Sequence, residues 1–187
     1  MTDTNAVVTT FDPTALQPRK LTELLRASGV DTPAKSISSG VISVSTAVKL
    51  LSRKETAGLV VSQIVRCESM LNPARPMSPE AMAETAYMVV DSCLSAGIDI
   101  NFADIDIVFR RAVSGFYGKM MGSIGSADIL GWFNAYFAEK TDAYIAHNVN
   151  EANQYKYHSD RSAETARVND LIEHKRAHAQ YINDKNK

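Results

Sequence analysis

Hydrophobic residues recur at helical spacing along most of the chain, and residues that favour helix starts precede several of these runs. Ser78 followed by Pro79, and then Asn101 and Ser126, stand where a side-chain oxygen can accept from an otherwise unpaired helical amide. No proline follows Pro79, which favours long uninterrupted helices in that part of the chain. The pattern therefore predicts an all-α small helical bundle, with helices over 45–71, 79–96, 102–114 and 127–150.

The two ends of the chain differ in pattern from the middle. Residues 1–44 are rich in Ser, Thr, Ala and turn residues, and we predict a flexible N-terminal arm there. One short helical candidate, Pro18–Ser28, lies in that arm and carries a small leucine stripe. Residues 155–187 are charged, with few apolar positions, and predict a partly helical C-terminal extension. The bundle domain is then expected over 45–154.

Composition indicates a globular protein without a strong electrostatic signature. Hydrophobic residues make up 45% and charged residues 22%, and the formal net charge is -1, so a strongly basic nucleic-acid-coating protein is excluded. No apolar run approaches the roughly 18 residues that span a bilayer, so we expect no membrane contact and a cytoplasmic location. Cys67 and Cys93 lie in apolar segments without a CxxC motif and are expected to be reduced core thiols.

No pattern for catalysis stands out. The glycine-rich run GFYGKMMGSIGS lacks the order of a phosphate-binding P-loop and follows a helical pattern. Asp104 and Asp106 are two apart on a predicted helix, so their carboxylates point in different directions and are better explained by helix-start electrostatics. His174 and His178 are four apart, but no carboxylate or thiol set accompanies them. We therefore predict no enzyme, no catalytic residue, no cofactor and no metal.

Eight of the 14 aromatic residues fall within residues 101–140. Most are spaced as core residues of helices; these are Phe102, Phe109, Trp132, Phe133 and Phe137. The other candidates form an aromatic and basic mixture at a glycine-bounded turn, which could stack on single-stranded bases or receive a protein partner. This candidate binding site comprises Arg110, Arg111, Phe116, Tyr117 and Lys119. The alternative is that the two turn aromatics close the end of the bundle.

The stretch 102–140 resembles small helical replication-associated proteins encoded by phages and mobile elements of Bacteroidetes. The shared elements are Ala103-Asp104-Ile105, Gly115-Phe116-Tyr117-Gly118-Lys119 and Trp132-Phe133 followed by Tyr136. Lys140 departs from the pattern, which has arginine there. The layout before this stretch also looks like the small helical domain of phage helicase loaders. The resemblance implies a protein without an active site that binds a replicative helicase and possibly single-stranded DNA, in the host cytoplasm.

Three functions follow as hypotheses. The first is a helicase-loader-like replication accessory protein, and the alternative is a virion structural or assembly protein whose terminal arms contact neighbouring subunits. Either allows a homo-oligomer. The third, a helix-turn-helix DNA-binding regulator, is disfavoured because the would-be recognition helix, 126–140, offers Lys140 as its only base.

Overall fold

The computed structural model describes residues 17–118 and 122–154, and every regular element in these two stretches is a helix. The predicted all-α fold is thus confirmed. The helices are α1 (Pro18–Ser28), α2 (Pro33–Ile37), α3 (Val44–Leu50), α4 (Arg53–Leu71), α5 (Pro79–Ser95), α6 (Phe102–Val113) and α7 (126–154). One compact unit spans Met1–Ala143 and a second spans Tyr144–Lys187.

Polar side chains set the starts of the central helices, as the sequence predicts at two positions. The Ser78 hydroxyl accepts from the Ala81 amide at 3.2 Å, and Asn101 accepts from the Asp104 amide at 3.1 Å. The Asp104 carboxylate accepts in return from the Asn101 amide at 2.8 Å, which completes a capping box. The prediction that Ser126 caps α7 is wrong, because Ser126 is the first residue within the helix and its hydroxyl pairs with the Thr85 hydroxyl at 2.7 Å.

The helix predicted over 45–71 is two helices. α3 ends at Leu50, and Ser52 starts α4 by accepting from the Glu55 amide at 3.1 Å. A serine within an apolar periodic run competes for the backbone as an N-cap, and here that local hydrogen bond interrupts the helix. The other predicted helices agree with the structure to within a few residues.

The predicted boundary between an N-terminal arm and the bundle at residue 45 is also wrong. α1 buries Leu21 and Leu25, and Val30 after it is buried as well. The segment before α3 is bonded to the start of α6, since the Phe102 amide donates to the Ile42 carbonyl at 3.1 Å. Residues 17–44 therefore belong to the first compact unit. The predicted boundary at 154 differs from the division after Ala143, and residues 1–16 and 155–187 lie outside the described stretches.

The core of the first unit lies where α4, α5 and α6 pack together. Phe102, Phe109, Trp132 and Phe133 are buried there, as predicted, and Phe137 packs partly buried against them. α6 is the most enclosed helix, because eight consecutive residues from its start, 102–109, are buried.

Both cysteines are free and buried, which confirms the expectation of reduced core thiols. Burial raises the pKa of the Cys67 thiol to about 12 and raises the pKa of Cys93 as well. Neither thiol therefore carries the thiolate that nucleophilic chemistry requires near neutral pH. Within the two described stretches, no helix has both the length and the hydropathy of a membrane span.

Candidate functional site

The C-terminal end of α6 carries the two arginines of the predicted binding site, and both are bonded within the fold. Arg110 donates from Nε to Asp106 at 2.7 Å and from Nη2 to the Val30 carbonyl. Asp106 also accepts from Nη1 of Arg66 at 2.9 Å. The arginine predicted to contact a ligand thus joins α6 to the loop after α1, and it shares Asp106 with Arg66 of α4, while part of its side chain stays exposed.

Arg111 is more enclosed than Arg110, with 18% of its side chain exposed against 42% for Arg110. Its guanidinium makes a bidentate ion pair with Glu139 of α7, with Nη2 at 2.9 Å from Oε1. The pairing lowers the pKa of Glu139 and raises the pKa of Arg111. The same guanidinium lies over the ring of Phe116, 4.9 Å from its centroid, and over Tyr136 at 5.6 Å. Arg111 therefore contacts the Phe116 ring of the turn while it is ion-paired to α7.

Glycine determines the shape of the turn that follows α6. Gly115 has φ +79° and Gly118 has φ +102°, both in the left-handed region that side chains with a Cβ rarely adopt. The Phe116 amide donates to the Arg111 carbonyl at 2.9 Å, and the Gly118 amide donates to the Gly115 carbonyl at 3.0 Å. These bonds fix the positions of the two aromatic residues between the glycines.

The two aromatic residues of the turn differ in exposure. Phe116 is 65% exposed, whereas Tyr117 is partly buried and stacks on Trp132, with 5.9 Å between ring centroids and 13° between planes. The two turn rings meet edge to face at 5.2 Å. The predicted pair is thus divided: Tyr117 packs against the core, and Phe116 is free to meet a partner. Lys119 lies outside the described residues.

The Tyr117 hydroxyl is enclosed without a hydrogen bond of standard geometry among the described residues. Burial raises its pKa, and the nearby charge of Arg111 partly opposes that effect.

The turn aromatics and the side chains packed against them form what we call the Phe116 platform, defined as Phe116, Tyr117, Trp132, Arg111 and Glu139. It presents one exposed ring on a base of stacked and ion-paired side chains.

A second cluster of polar side chains is enclosed in the core, and the sequence pattern did not predict that these residues meet. The Asp104 carboxylate accepts from the Ser36 hydroxyl and from the Tyr136 hydroxyl, each at 2.5 Å, and pairs with the Lys140 ammonium. The Asn101 side chain donates to the Ser36 carbonyl at 2.9 Å. We call these five residues the Asp104 cluster. It links α2, α6 and α7 through one buried carboxylate.

The Asp104 cluster is sealed from solvent, because Asp104 is 0% exposed and Lys140 is 2% exposed. Burial and the adjacent Asp104 charge raise the pKa of Tyr136, so its hydroxyl remains a donor. The buried hydrogen bonds and the ion pair join three helices of the first unit. Spacing gave a signal for it: Ile129, Trp132, Tyr136 and Lys140 lie on one helical face, so Lys140 continues a buried stripe.

The acidic residues that suggested a metal site have separate roles. Asp104 pairs with Lys140 and Asp106 pairs with two arginines, which confirms that the two carboxylates of α6 point in different directions. Among the described residues, no group of three or more His, Cys, Asp or Glu side chains could hold a metal ion. His174 and His178 lie outside those residues.

The chain matches no protein-family model, and no curated protein or solved structure is detectably similar to it.

Proposed function

We propose that this chain is a non-enzymatic, helicase-loader-like adaptor of phage or mobile-element DNA replication, and that it binds a replicative helicase through the Phe116 platform. The observation that carries a binding role is the 65% exposure of Phe116 above a fixed base. The helicase as partner rests on the resemblance of residues 102–140 to replication-associated proteins.

A single exposed ring on a fixed base has the properties of a binding hot spot. Hot spots are usually large aromatic or arginine side chains that become enclosed on binding. The turn hydrogen bonds and the Arg111–Glu139 pair already order the groups around Phe116, so little conformational entropy remains to be lost when a partner covers the ring. An apolar pocket on the helicase would therefore gain most from this residue.

The charges near the platform favour a protein partner over single-stranded DNA. Arg110 is bonded to Asp106 and Arg111 to Glu139, so a phosphate would have to compete with a carboxylate already in place. Binding to DNA is thus secondary in this proposal. A base could stack on Phe116, but with little support from the two arginines.

The test is a titration of a Bacteroidetes-type replicative helicase with wild-type protein and with Phe116→Ala. We expect the variant to lose at least about 2 kcal/mol of binding free energy, roughly 30-fold in Kd, with its melting temperature nearly unchanged. Leu50→Ala is the matched control, because Leu50 is 50% exposed on α3, outside the platform. Wild-type protein that bound no helicase at micromolar concentration would refute the partner, and equal losses in both variants would refute the site.

One observation favours the virion structural or assembly role as a second candidate. In the second compact unit, the described part of α7 exposes Tyr144, Ile145 and Val149, of which Ile145 and Val149 are four residues apart and share a helical face. Such an exposed apolar surface suits contact with a neighbouring subunit.

Light scattering after size-exclusion chromatography distinguishes the assembly role from the helicase-binding role. An assembly protein should form large particles, and the double variant Ile145→Asp with Val149→Asp should abolish them.

A further inference from the structure

A cavity of about 240 Å³ opens where α5 ends, well away in sequence from the platform residues. Its walls include Ser45 at the start of α3, Leu94 on α5 and the loop residues Gly97, Ile98 and Asp99. The volume is far above the roughly 10–15 Å³ that one water molecule needs. The proposed helicase contact does not use this cavity.

The cavity lies at the carboxyl end of α5, which is the negative end of that helix dipole. α5 has no basic residue in its last turn, and in α3, α4 and α6, unlike α5, the C-cap amide donates a hydrogen bond back into the helix. The Ser95 hydroxyl donates to the Asp91 carbonyl at 2.5 Å and to the Ser92 carbonyl at 3.4 Å, so the partial negative charge of this end rests on the carbonyls that follow. Cys93, Leu94 and Gly97, from this end of the helix, line the opening.

A full negative charge adds to the dipole. Asp99 is exposed in the cavity wall, and it makes no ion pair or hydrogen bond with any residue in 17–118 or 122–154. Lys49 lies one turn along α3 from Ser45, but it is not part of the lining and makes no ion pair in the same stretches. The electrostatics of the opening thus favour a cation.

The remaining walls suit an aliphatic chain. Leu94 is 45% exposed, and Ile98 is partly buried against the core. Long basic side chains cover such surfaces with their methylene stems while the charged head meets acceptors. A guanidinium offers five donors in a planar fork, which matches a site combining a carboxylate with helix-terminal carbonyls.

From this combination we infer that the cavity binds an arginine side chain of a partner polypeptide. The stem packs on Leu94 and Ile98, and the guanidinium meets Asp99 and the carboxyl end of α5. This contact is separate from the Phe116 platform, so either can fail without the other.

The experiment is a ¹⁵N-correlated NMR titration of the full chain with Nα-acetyl-argininamide, a peptide-like arginine with no terminal charges. We expect saturable shifts of the Gly97, Ile98 and Asp99 amides at millimolar ligand. Nα-acetyl-citrullinamide, the neutral isostere, and guanidinium chloride, which lacks the stem, should each bind several-fold more weakly. If Nα-acetyl-citrullinamide bound as tightly as the arginine ligand, the positive charge would not contribute to recognition. If guanidinium chloride bound as tightly, the aliphatic stem would not contribute. Either result would refute the inference.

Matched variants locate the site. Asp99→Asn should weaken the arginine ligand by about 5-fold, the upper range for an exposed ion pair. Glu84→Gln removes an exposed carboxylate from α5, away from the cavity lining, and should leave the affinity unchanged. Both positions are exposed, so both variants should fold. The inference is overturned if arginine shifts appear elsewhere only, or if Asp99→Asn binds as the wild type does.

Discussion

Lys140→Met should destabilise the protein more than any surface substitution, because it removes the cation from a carboxylate that has no access to water. Methionine keeps most of the length and volume of lysine, so the change isolates the charge. The Asp104 carboxylate is 0% exposed and keeps three other donors, from Ser36, Tyr136 and the Asn101 amide. Those neutral donors cannot offset the missing ammonium.

The magnitude follows from the environment of the pair. Removing one partner of a buried ion pair costs about 3 to 5 kcal/mol, since it leaves an uncompensated charge in the interior. At roughly 2 to 4 °C per kcal/mol for a chain of this size, the melting temperature should fall by about 6 to 20 °C. Lys54→Met is the control, because Lys54 is exposed on α4; its effect should stay within about 0.5 kcal/mol.

Urea unfolding followed by tryptophan fluorescence measures this directly, because Trp132 is the only tryptophan and is buried beside α6. Adding Asp104→Asn to Lys140→Met removes the stranded charge, so the double variant should lose at least about 1.5 kcal/mol less than the sum of the single losses. A cost below 1 kcal/mol for Lys140→Met, or strict additivity in the double variant, would show that the pair is not the buried interaction described above.

Three further predictions follow from the packing and the pKa shifts. Trp132→Ala should cost about 3 to 5 kcal/mol in urea unfolding, the usual price of deleting a large buried aromatic, and a loss under 1 kcal/mol would contradict its core position. Tyr117→Ala should lower the melting temperature by several degrees through loss of the Trp132 stack, while Phe116→Ala leaves it almost unchanged; equal effects would contradict the division of the turn. The folded-state pKa of Tyr136 lies above its unfolded value near 10, so its contribution to stability is complete below pH 10 and declines as pH rises further. Urea midpoints measured at increasing pH above about 10 should therefore fall more steeply for wild type than for Tyr136→Phe, and parallel curves would argue against the shift.

Local signals in the sequence predicted most of the helices, because caps and periodicity act over a few residues. Ser78 and Asn101 start their helices as expected, and the Pro18–Ser28 helix lies at its predicted position. The division of 45–71 was missed because Ser52 competes with an apolar pattern that runs through it. Composition also gave the wrong prediction, a flexible arm, for residues 17–44. Small polar residues there are ordered by hydrogen bonds to the start of α6, which is distant in sequence, so no nearby residues indicate them.

Long-range pairing explains what could not be predicted of the site. The sequence gives no sign of an ion-pair partner for Arg111, because Glu139 lies 28 residues later and comes into contact only in the folded chain. The exposure of Phe116 and the burial of its neighbour Tyr117 likewise depend on where Trp132 lies. A sequence pattern could select the turn as a candidate but could not divide the roles of its two rings.

The Asp104 cluster also orders events in time during synthesis. Ser36 and Lys140 meet on the same carboxylate, although about a hundred residues separate them along the chain. At roughly 5 to 20 residues per second, the ribosome delivers that lysine about 5 to 20 s after the serine. Until then the carboxylate lacks its cation, so the early helices are expected to stay open to solvent. The early helices would thus expose apolar surface to chaperones until α7 has been synthesised.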